Sequence, residues 1–463
     1  MDVHERPASK AELRRVMVGL GLAMLLSALD QSIVATALPT IGAELGDFER
    51  LPWIVTAYLV AATVVTPLYG KLADIHGARV MLLAGVSIFI AGSIACALAP
   101  SVIVLVAARA LQGAGGGGLI ALAQTVVADL VSPRERGRYQ TYFAAVFVTS
   151  SVAGPLLGGF FSQHLRWTLI FWINLPLGLA AIQATNARLK RLPQRRHPHR
   201  VDIPGAALLV LASGLLVLGL GWGGTRFAWG SAPVLATLAA SALFWALFLW
   251  RARRAREPLI PLSVLGDPVV RDATLSSACG LGAFVGLTAV MPIYFQSALG
   301  LSADRSGVAL MPLMLATVAG ATFSGRAMAR LKRYKRPSLA LLVAGLAAAL
   351  AAAWRLEDLS LWGLDLLLSL SMLGVGAMLP VATICVQNAA HARDLGTATA
   401  VMQFFRQLGC AVVVALLGAL VVGGAALAPS FRLVLLTVAI CVALSLAFLL
   451  KMEERPLRGS GAA

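Results

Sequence analysis

Leu29-Asp30-Gln31-Ser32-Ile33-Val34 lies inside an apolar stretch that runs from Val16 to Leu38. An aspartate at the centre of a membrane helix costs about 2.5–3.5 kcal/mol on insertion scales. Such a residue persists where it faces a wet cavity or binds something, so the stretch suggests a solute pathway through a membrane. A signal peptide ending near Ala35-Thr36-Ala37 is the competing reading. It fails because the apolar stretch is long and contains Asp30 and Gln31, unlike a signal h-region. The stretch reads as a retained first span.

The rest of the chain agrees with that reading. It is 59% hydrophobic and 13% charged, with a mean hydropathy of +0.83, whereas soluble domains carry roughly 25% charged residues. About fourteen apolar stretches, most of them near the ~20 residues that span a bilayer, follow one another from 16–38 to 431–450. The fourth reads as one span over 101–129 and the sixth as one span over 167–186.

A net charge of +17 raises the question of a nucleic-acid partner, and its distribution answers it. With both termini cytoplasmic, the outer loops hold Arg50, Arg166, Arg226, Arg305, Arg355 and Arg432, and the spans hold Arg109 and Arg406. The rest of the 38 Lys and Arg fall in cytoplasmic segments, as the positive-inside rule requires. No single basic stripe of the kind nucleic acid needs is present. Cys96, Cys279, Cys385, Cys410 and Cys441 all fall in apolar spans without metal-type spacing, and read as small packing residues.

Two longer basic connectors punctuate the chain. One runs from Asn186 to Val201, with Arg188, Lys190, Arg191, Arg195, Arg196 and Arg200; the other runs from Arg251 to Asp272. They divide it into a tail (1–15), a first bundle (16–186), basic loops with two inserted helices (187–272), a second bundle (273–450) and a tail (451–463). Setting the inserted pair aside leaves two sets of six spans, the layout of secondary transporters with a midplane site. The turn Gly70-Lys71-Leu72-Ala73-Asp74-Ile75-His76-Gly77-Ala78-Arg79 has a weak counterpart in Ser324-Gly325-Arg326-Ala327-Met328-Ala329-Arg330, which keeps glycine and basic residues and loses the aspartate.

Several constellations sit in the spans. Arg109 and Gln112 lie one turn apart, hence on one helix face, and a buried guanidinium needs partners inside the bundle. Gly113-Ala114-Gly115-Gly116-Gly117-Gly118 fits a dinucleotide-binding pattern, but it has no preceding strand and lies within a span, so close helix packing explains it. Gly154-Pro155 with Gly158-Gly159 places a helix breaker and close-approach residues in span 5. Asn174 in span 6 and Gln403, Arg406 and Gln407 in span 13 add polar groups that either line a cavity or staple helices. Asp365, near the outer end of span 12, reads as solvated.

Taken in order, these motifs resemble the major facilitator superfamily, in particular its fourteen-span drug:proton antiporters of the EmrB/QacA type. The residues that carry the resemblance are Leu29 to Pro39, Gly70 to Arg79, Arg109-Ala110-Leu111-Gln112-Gly113, Gly154 to Gly159, Trp172-Ile173-Asn174-Leu175-Pro176, and Gly396 through Arg406-Gln407-Leu408-Gly409. The resemblance implies an all-α integral membrane protein of two six-helix bundles plus two extra helices, with both termini cytoplasmic. It gives Asp30 and Arg109 a part in proton coupling, and Gln31, Gln112, Asn174, Gln403 and Arg406 a place in the substrate cavity. Gly70, Asp74, Gly77 and Arg79 would form a latch between the halves, and Gly154, Pro155, Gly158 and Gly159 a kink that marks antiport.

The expected activity is proton-coupled export of small, largely hydrophobic compounds from a bacterial inner membrane; an uptake symporter for a sugar, amino acid or organic acid is the alternative. Burial penalises the charged form of Asp30, so a proton and a cationic substrate would compete for it. There are no acids at catalytic spacing, no metal-spaced His and Cys set and no nucleotide-binding domain. No enzyme activity, cofactor or metal is therefore expected, and an ion gradient should supply the energy. The expected partners are substrate, protons and the bilayer, with a monomer as default and a periplasmic adaptor protein as an open alternative.

Overall fold

The computed structural model of the chain describes residues 10–47, 50–189, 202–224, 226–422 and 427–457. Most of the basic connector expected from Asn186 to Val201, from Lys190 on, lies outside the described residues. In chain order the helices are α1 (Lys10–Leu45), α2 (Leu51–His76), α3 (Ala78–Ala97), α4 (Val102–Gly116), α5 (Leu119–Leu130), α6 (Pro133–His164), α7 (Leu169–Trp172), α8 (Asn174–Leu189) and α9 (Ile203–Trp222). There follow α10 (Ala232–Arg254), α11 (Leu262–Gly266), α12 (Pro268–Ser297), α13 (Ala303–Ala309), α14 (Met311–Arg330), α15 (Lys335–Trp354), α16 (Leu361–Ala389), α17 (Leu395–Val422) and α18 (Leu427–Lys451). Among the described residues 14 segments are long and apolar enough to cross a membrane. Many large apolar side chains point outward, among them Leu156, Leu366, Trp354 and Trp362, as lipid contact requires and water would not favour.

Local chemistry sets the helix ends. Ser101, Ser302 and Ser360 accept backbone N–H bonds at the starts of α4, α13 and α16, and Asp267 does so for α12; each satisfies a donor that the first turn leaves free. Asp202 caps α9 and also pairs with Arg251 of α10 at 2.9 Å, which fastens the inserted hairpin. Gly77 joins α2 to α3 at φ +91°, a conformation that only glycine adopts without strain.

The expected fourth and sixth spans are each one membrane-length segment, Val102–Leu130 and Leu169–Asn186. Gly117 and Gly118 between α4 and α5, and Ile173 between α7 and α8, keep right-handed helical φ and ψ. The glycine run in the fourth has a packing role. A Cβ on Gly113 would lie 2.4 Å from the Tyr58 carbonyl oxygen, one on Gly117 2.1 Å from that of Ala62, and one on Gly115 2.3 Å from the Phe89 nitrogen. The glycines therefore wedge α4 backbone-to-backbone between α2 and α3, which fixes the height of Arg109 and Gln112 one turn before.

The chain forms two compact units. The first comprises Met1–Val131 with Thr149–His199, and the second Ser132–Val148 with Arg200–Ala463. In the first, α4 packs on α2 and α3, and α8 packs on α1 and α3. Its apolar core includes Ile33, Ile41, Ile54, Leu105, Ile170 and Phe171. In the second, α16 packs on α14 and α15, and α12 packs on α17 and α18. The inserted hairpin α9–α10 belongs to this unit, with Trp245 of α10 and Phe404 of α17 6.2 Å apart between ring centroids. Gly137 and Gly325 meet so closely there that a Cβ on either would fall within 2.4 Å of the other's carbonyl oxygen.

The segment after α18 is tied down rather than trailing. Lys335 Nζ donates to the Leu450 and Met452 carbonyls, Tyr334 Oη to the Arg455 carbonyl at 2.8 Å, and Asn388 Nδ2 to that of Pro456 at 3.2 Å. Arg455 pairs with Asp267 at 2.9 Å. Burial pushes the Tyr334 phenol up, so it serves as a donor rather than an anion.

The glycine contacts make a paired prediction. Gly117→Ala drives a methyl into the Ala62 backbone and should destabilise the protein by about 1–3 kcal/mol, as overpacking does. Gly159→Ala, with nothing within 4 Å of its Cβ, should leave the thermal midpoint unchanged or slightly raised. Tryptophan-fluorescence melts of the purified protein in detergent compare the two; equal midpoints would remove the packing role of Gly117.

Candidate functional site

Asp30 comes from α1, Arg109 and Gln112 from α4, Asn174 from the first residue of α8, and Ser93 from α3. In the first unit these five converge on one buried cluster. Arg109 Nη1 donates to Asp30 Oδ2 and, at 2.6 Å, to Gln112 Oε1. Asp30 Oδ1 accepts from Gln112 Nε2 at 2.8 Å and from Asn174 Nδ2 at 3.2 Å. Both amides also donate to Ser93 Oγ, at 2.7 and 3.1 Å. Arg109 Nε reaches the Ile54 carbonyl at 3.2 Å, and its guanidinium lies 4.3 Å from the centroid of the Tyr58 ring. Tyr58 Oη is in turn 3.1 Å from Ser27 Oγ.

The cluster is closed. Relative exposure is 0% for Asp30 and 1% for Arg109. Taking two ions out of water costs several kcal/mol each, and their mutual attraction offsets this only if the remaining polar atoms are also satisfied. Here two amide donors complete Asp30, while a carbonyl and two oxygens of the cluster complete Arg109. One atom is left over: Asn174 Oδ1 is buried without a partner. Of the two expectations for Asp30, facing a wet cavity or binding something, this structure has the residue sealed and bound to Arg109.

The other expected site residues distribute differently. Gln112 and Asn174 spend their donors on Asp30. Gln31 is exposed and bonds back to Ser27 O at 3.3 Å on its own helix. Gln403 and Arg406 meet in the second unit, where Arg406 Nη1 reaches Gln403 Oε1 at 3.4 Å and its Nη2 reaches Thr383 Oγ1 at 3.0 Å. Gly70 and Asp74 are buried, and Arg79 bonds the Asn186 side chain.

In span 5, α6 continues through Pro155, which is exposed. A Cβ on Gly154 would lie 2.0 Å from Ser32 Oγ, and one on Gly158 2.6 Å from the Ile33 carbonyl. Ser32 Oγ donates to the Ser150 carbonyl at 2.9 Å. The glycines therefore seat α6 on the turn of α1 that follows Asp30, while Gly159 faces open space. Asp365 is 6% exposed rather than solvated. Among the described residues no cluster of His, Cys, Asp and Glu could hold a metal.

Sequence reasoning did not find Ser93, Tyr58 or the role of Cys96, whose Sγ lies 3.5 Å from Gln112 Oε1. The signal was faint. Gly92 and Ser93 sit one turn from Phe89 and Cys96 in a mostly apolar helix, and the close approaches of Gly92 to the Gln112 backbone and of Gly115 to Phe89 show that this face meets α4.

A buried pair should behave as a unit. Asp30→Asn and Arg109→Gln each leave a charge or donor set uncompensated, and removal of one partner typically costs about 3–5 kcal/mol. The double variant should lose less than the sum of the singles in thermal melts of the purified protein. Strict additivity would show that the two groups do not depend on each other.

The profile of the Major Facilitator Superfamily matches residues 20–414. An uncharacterised MFS-type transporter of Mycobacterium tuberculosis is 35% identical over 411 residues, which cover 88% of this chain and 59% of that protein. The chain thus spans little more than half of that relative's length. Multidrug transporter protein MdtP of Bacillus subtilis is 32% identical over 87% of this chain and 74% of its own length. Among solved structures, the human organic anion transporter MFSD10 aligns with a TM-score of 0.67 at 17% identity, covering 96% of this chain and 100% of that one. The proton:xylose symporter XylE aligns at 0.66 and 14%, covering 97% and 98%. Profile, relatives and helical architecture agree that the chain belongs to the Major Facilitator Superfamily.

Proposed function

We propose that this protein is a proton-coupled exporter of small, largely hydrophobic compounds, working by alternating access in a bacterial inner membrane with both termini in the cytoplasm. The names of its Bacillus relatives, a multidrug transporter and a multidrug resistance protein, support the substrate class. The observation that carries the coupling is the sealed Asp30–Arg109 pair.

An ionised Asp30 balances Arg109 and satisfies both amide donors. A protonated Asp30 does neither: Arg109 loses its counter-charge, and one carboxyl oxygen becomes a donor facing amide N–H groups. The two protonation states therefore favour different arrangements of α1 against α4 and α8. A bistable element of this kind is what a ligand or proton can bias. The seating of Gly154 and Gly158 on residues 32–36 passes a displacement of α1 directly to α6.

The energetics suffice. One elementary charge crossing 100 mV yields about 2.3 kcal/mol. At ~1.4 kcal/mol per tenfold ratio, that supports a concentration gradient on the order of fiftyfold for one-to-one electrogenic exchange. Substrate charge changes this figure.

Inside-out vesicles test the proposal. With an acidified lumen, addition of ethidium should dequench a lumenal pH probe as protons leave in exchange. Asp30→Asn should remove both the dequenching and uphill accumulation, while ethidium exchange down its gradient persists. Undiminished uphill transport by Asp30→Asn would take the residue out of the mechanism, and lumenal acidification on substrate addition would indicate symport.

A further inference from the structure

The two units treat their buried arginines differently. Arg109 is neutralised by Asp30. Arg406 stands twelfth in the 28-residue helix α17, about 17 Å along it at 1.5 Å per residue, and is 4% exposed. Its acceptors are all neutral: Gln403 Oε1 at 3.4 Å, Thr383 Oγ1 at 3.0 Å and the Leu379 carbonyl at 3.3 Å. Its Nε has no partner. No carboxylate forms an ion pair with it among the described residues.

A guanidinium at mid-helix depth is among the costliest groups to bury. Neutral dipoles orient it but do not cancel its charge, and an uncompensated buried charge is more expensive than a paired one. If its task were only to hold α17 against α16, a neutral side chain would bridge Thr383 and the Leu379 carbonyl without that cost. The residue holds a full positive charge, a spare N–H and a fork geometry that matches planar oxyanions.

We propose that Arg406 is a recognition residue for the carboxylate of amphiphilic, organic-acid substrates, so that the exporter takes apolar compounds carrying one negative charge in preference to their neutral counterparts. This rests on the export reading above and adds the substrate class. Thr383 and Gln403 act as positioning residues that aim the guanidinium.

Binding to the purified full-length protein in nanodiscs tests this with naphthalene-2-carboxylate, its methyl ester and ethidium as probes, read by tryptophan quenching. The wild type should bind the carboxylate about tenfold more tightly than the ester, a difference of ~1.4 kcal/mol. Arg406→Gln should bring the two within about twofold of each other, and Arg406→Lys should keep part of the preference. No preference in the wild type would overturn the proposal. So would an equal loss for all three probes in Arg406→Gln together with a lowered thermal midpoint, which marks a structural staple. Gradient-driven ethidium transport separates the two readings. Its persistence without carboxylate preference leaves export standing and removes the anion site; its absence from a wild type that prefers the carboxylate does the reverse.

Discussion

The first unit is organised around the cost of placing an aspartate and an arginine together where water is absent. At an effective dielectric of ~20, opposite charges about 4 Å apart attract by roughly 4 kcal/mol, less than the several kcal/mol that each ion loses on desolvation. The deficit is met by dipoles, so Asp30 and Arg109 are viable only with Gln112, Asn174 and the Ile54 carbonyl in contact. Those partners sit on separate helices. The close backbone approaches of Gly92, Gly113, Gly115 and Gly117 are what bring α2, α3 and α4 near enough to supply them.

This dependence gives the pair its functional interest. A network in which each polar group completes another tolerates one protonation state and resists its alternative. The contacts of α1 with α6 at Ser32, Ile33 and Thr36 lie on the turns just past Asp30, so the helix that carries the acid is also the one that the span-5 glycines grip. The buried acid and the packing contacts with α6 share one segment of chain.

Much of this was legible in the sequence. Asp30, Arg109, Gln112 and Asn174 stand out because a charge or amide within an apolar run is expensive and needs a reason. That they join one cluster follows partly from the spacing of Arg109 and Gln112, which fixes a shared face. Pairing across helices leaves no such trace, so Asp30 looked like a lone acid. Ser93 was invisible because serine in an apolar helix is more often a small packing residue. The glycines from Gly113 to Gly118 were legible as close-packing positions, because a dinucleotide-binding turn needs a preceding strand that an apolar span lacks. Asp365 looked solvated from its place near a helix end, yet its face of α16 turns inward while its neighbours Trp362 and Leu366 turn out. The residues expected in a cavity separate into two groups, Gln112 and Asn174 bonded to Asp30 in the first unit and Gln403 with Arg406 in the second, a division that spacing along the chain does not show.

The units therefore differ in kind: one keeps its buried charges balanced, and the other keeps a guanidinium among neutral acceptors. The central claim is that Asp30 alternates between ionised and protonated states during turnover. Infrared difference spectroscopy of the protein in lipid, triggered by substrate addition, tests it most directly. A protonated-carboxyl band that changes on substrate addition and is missing from Asp30→Asn is the expected result. An unchanged carboxyl region in a wild type that is actively exchanging substrate would contradict it.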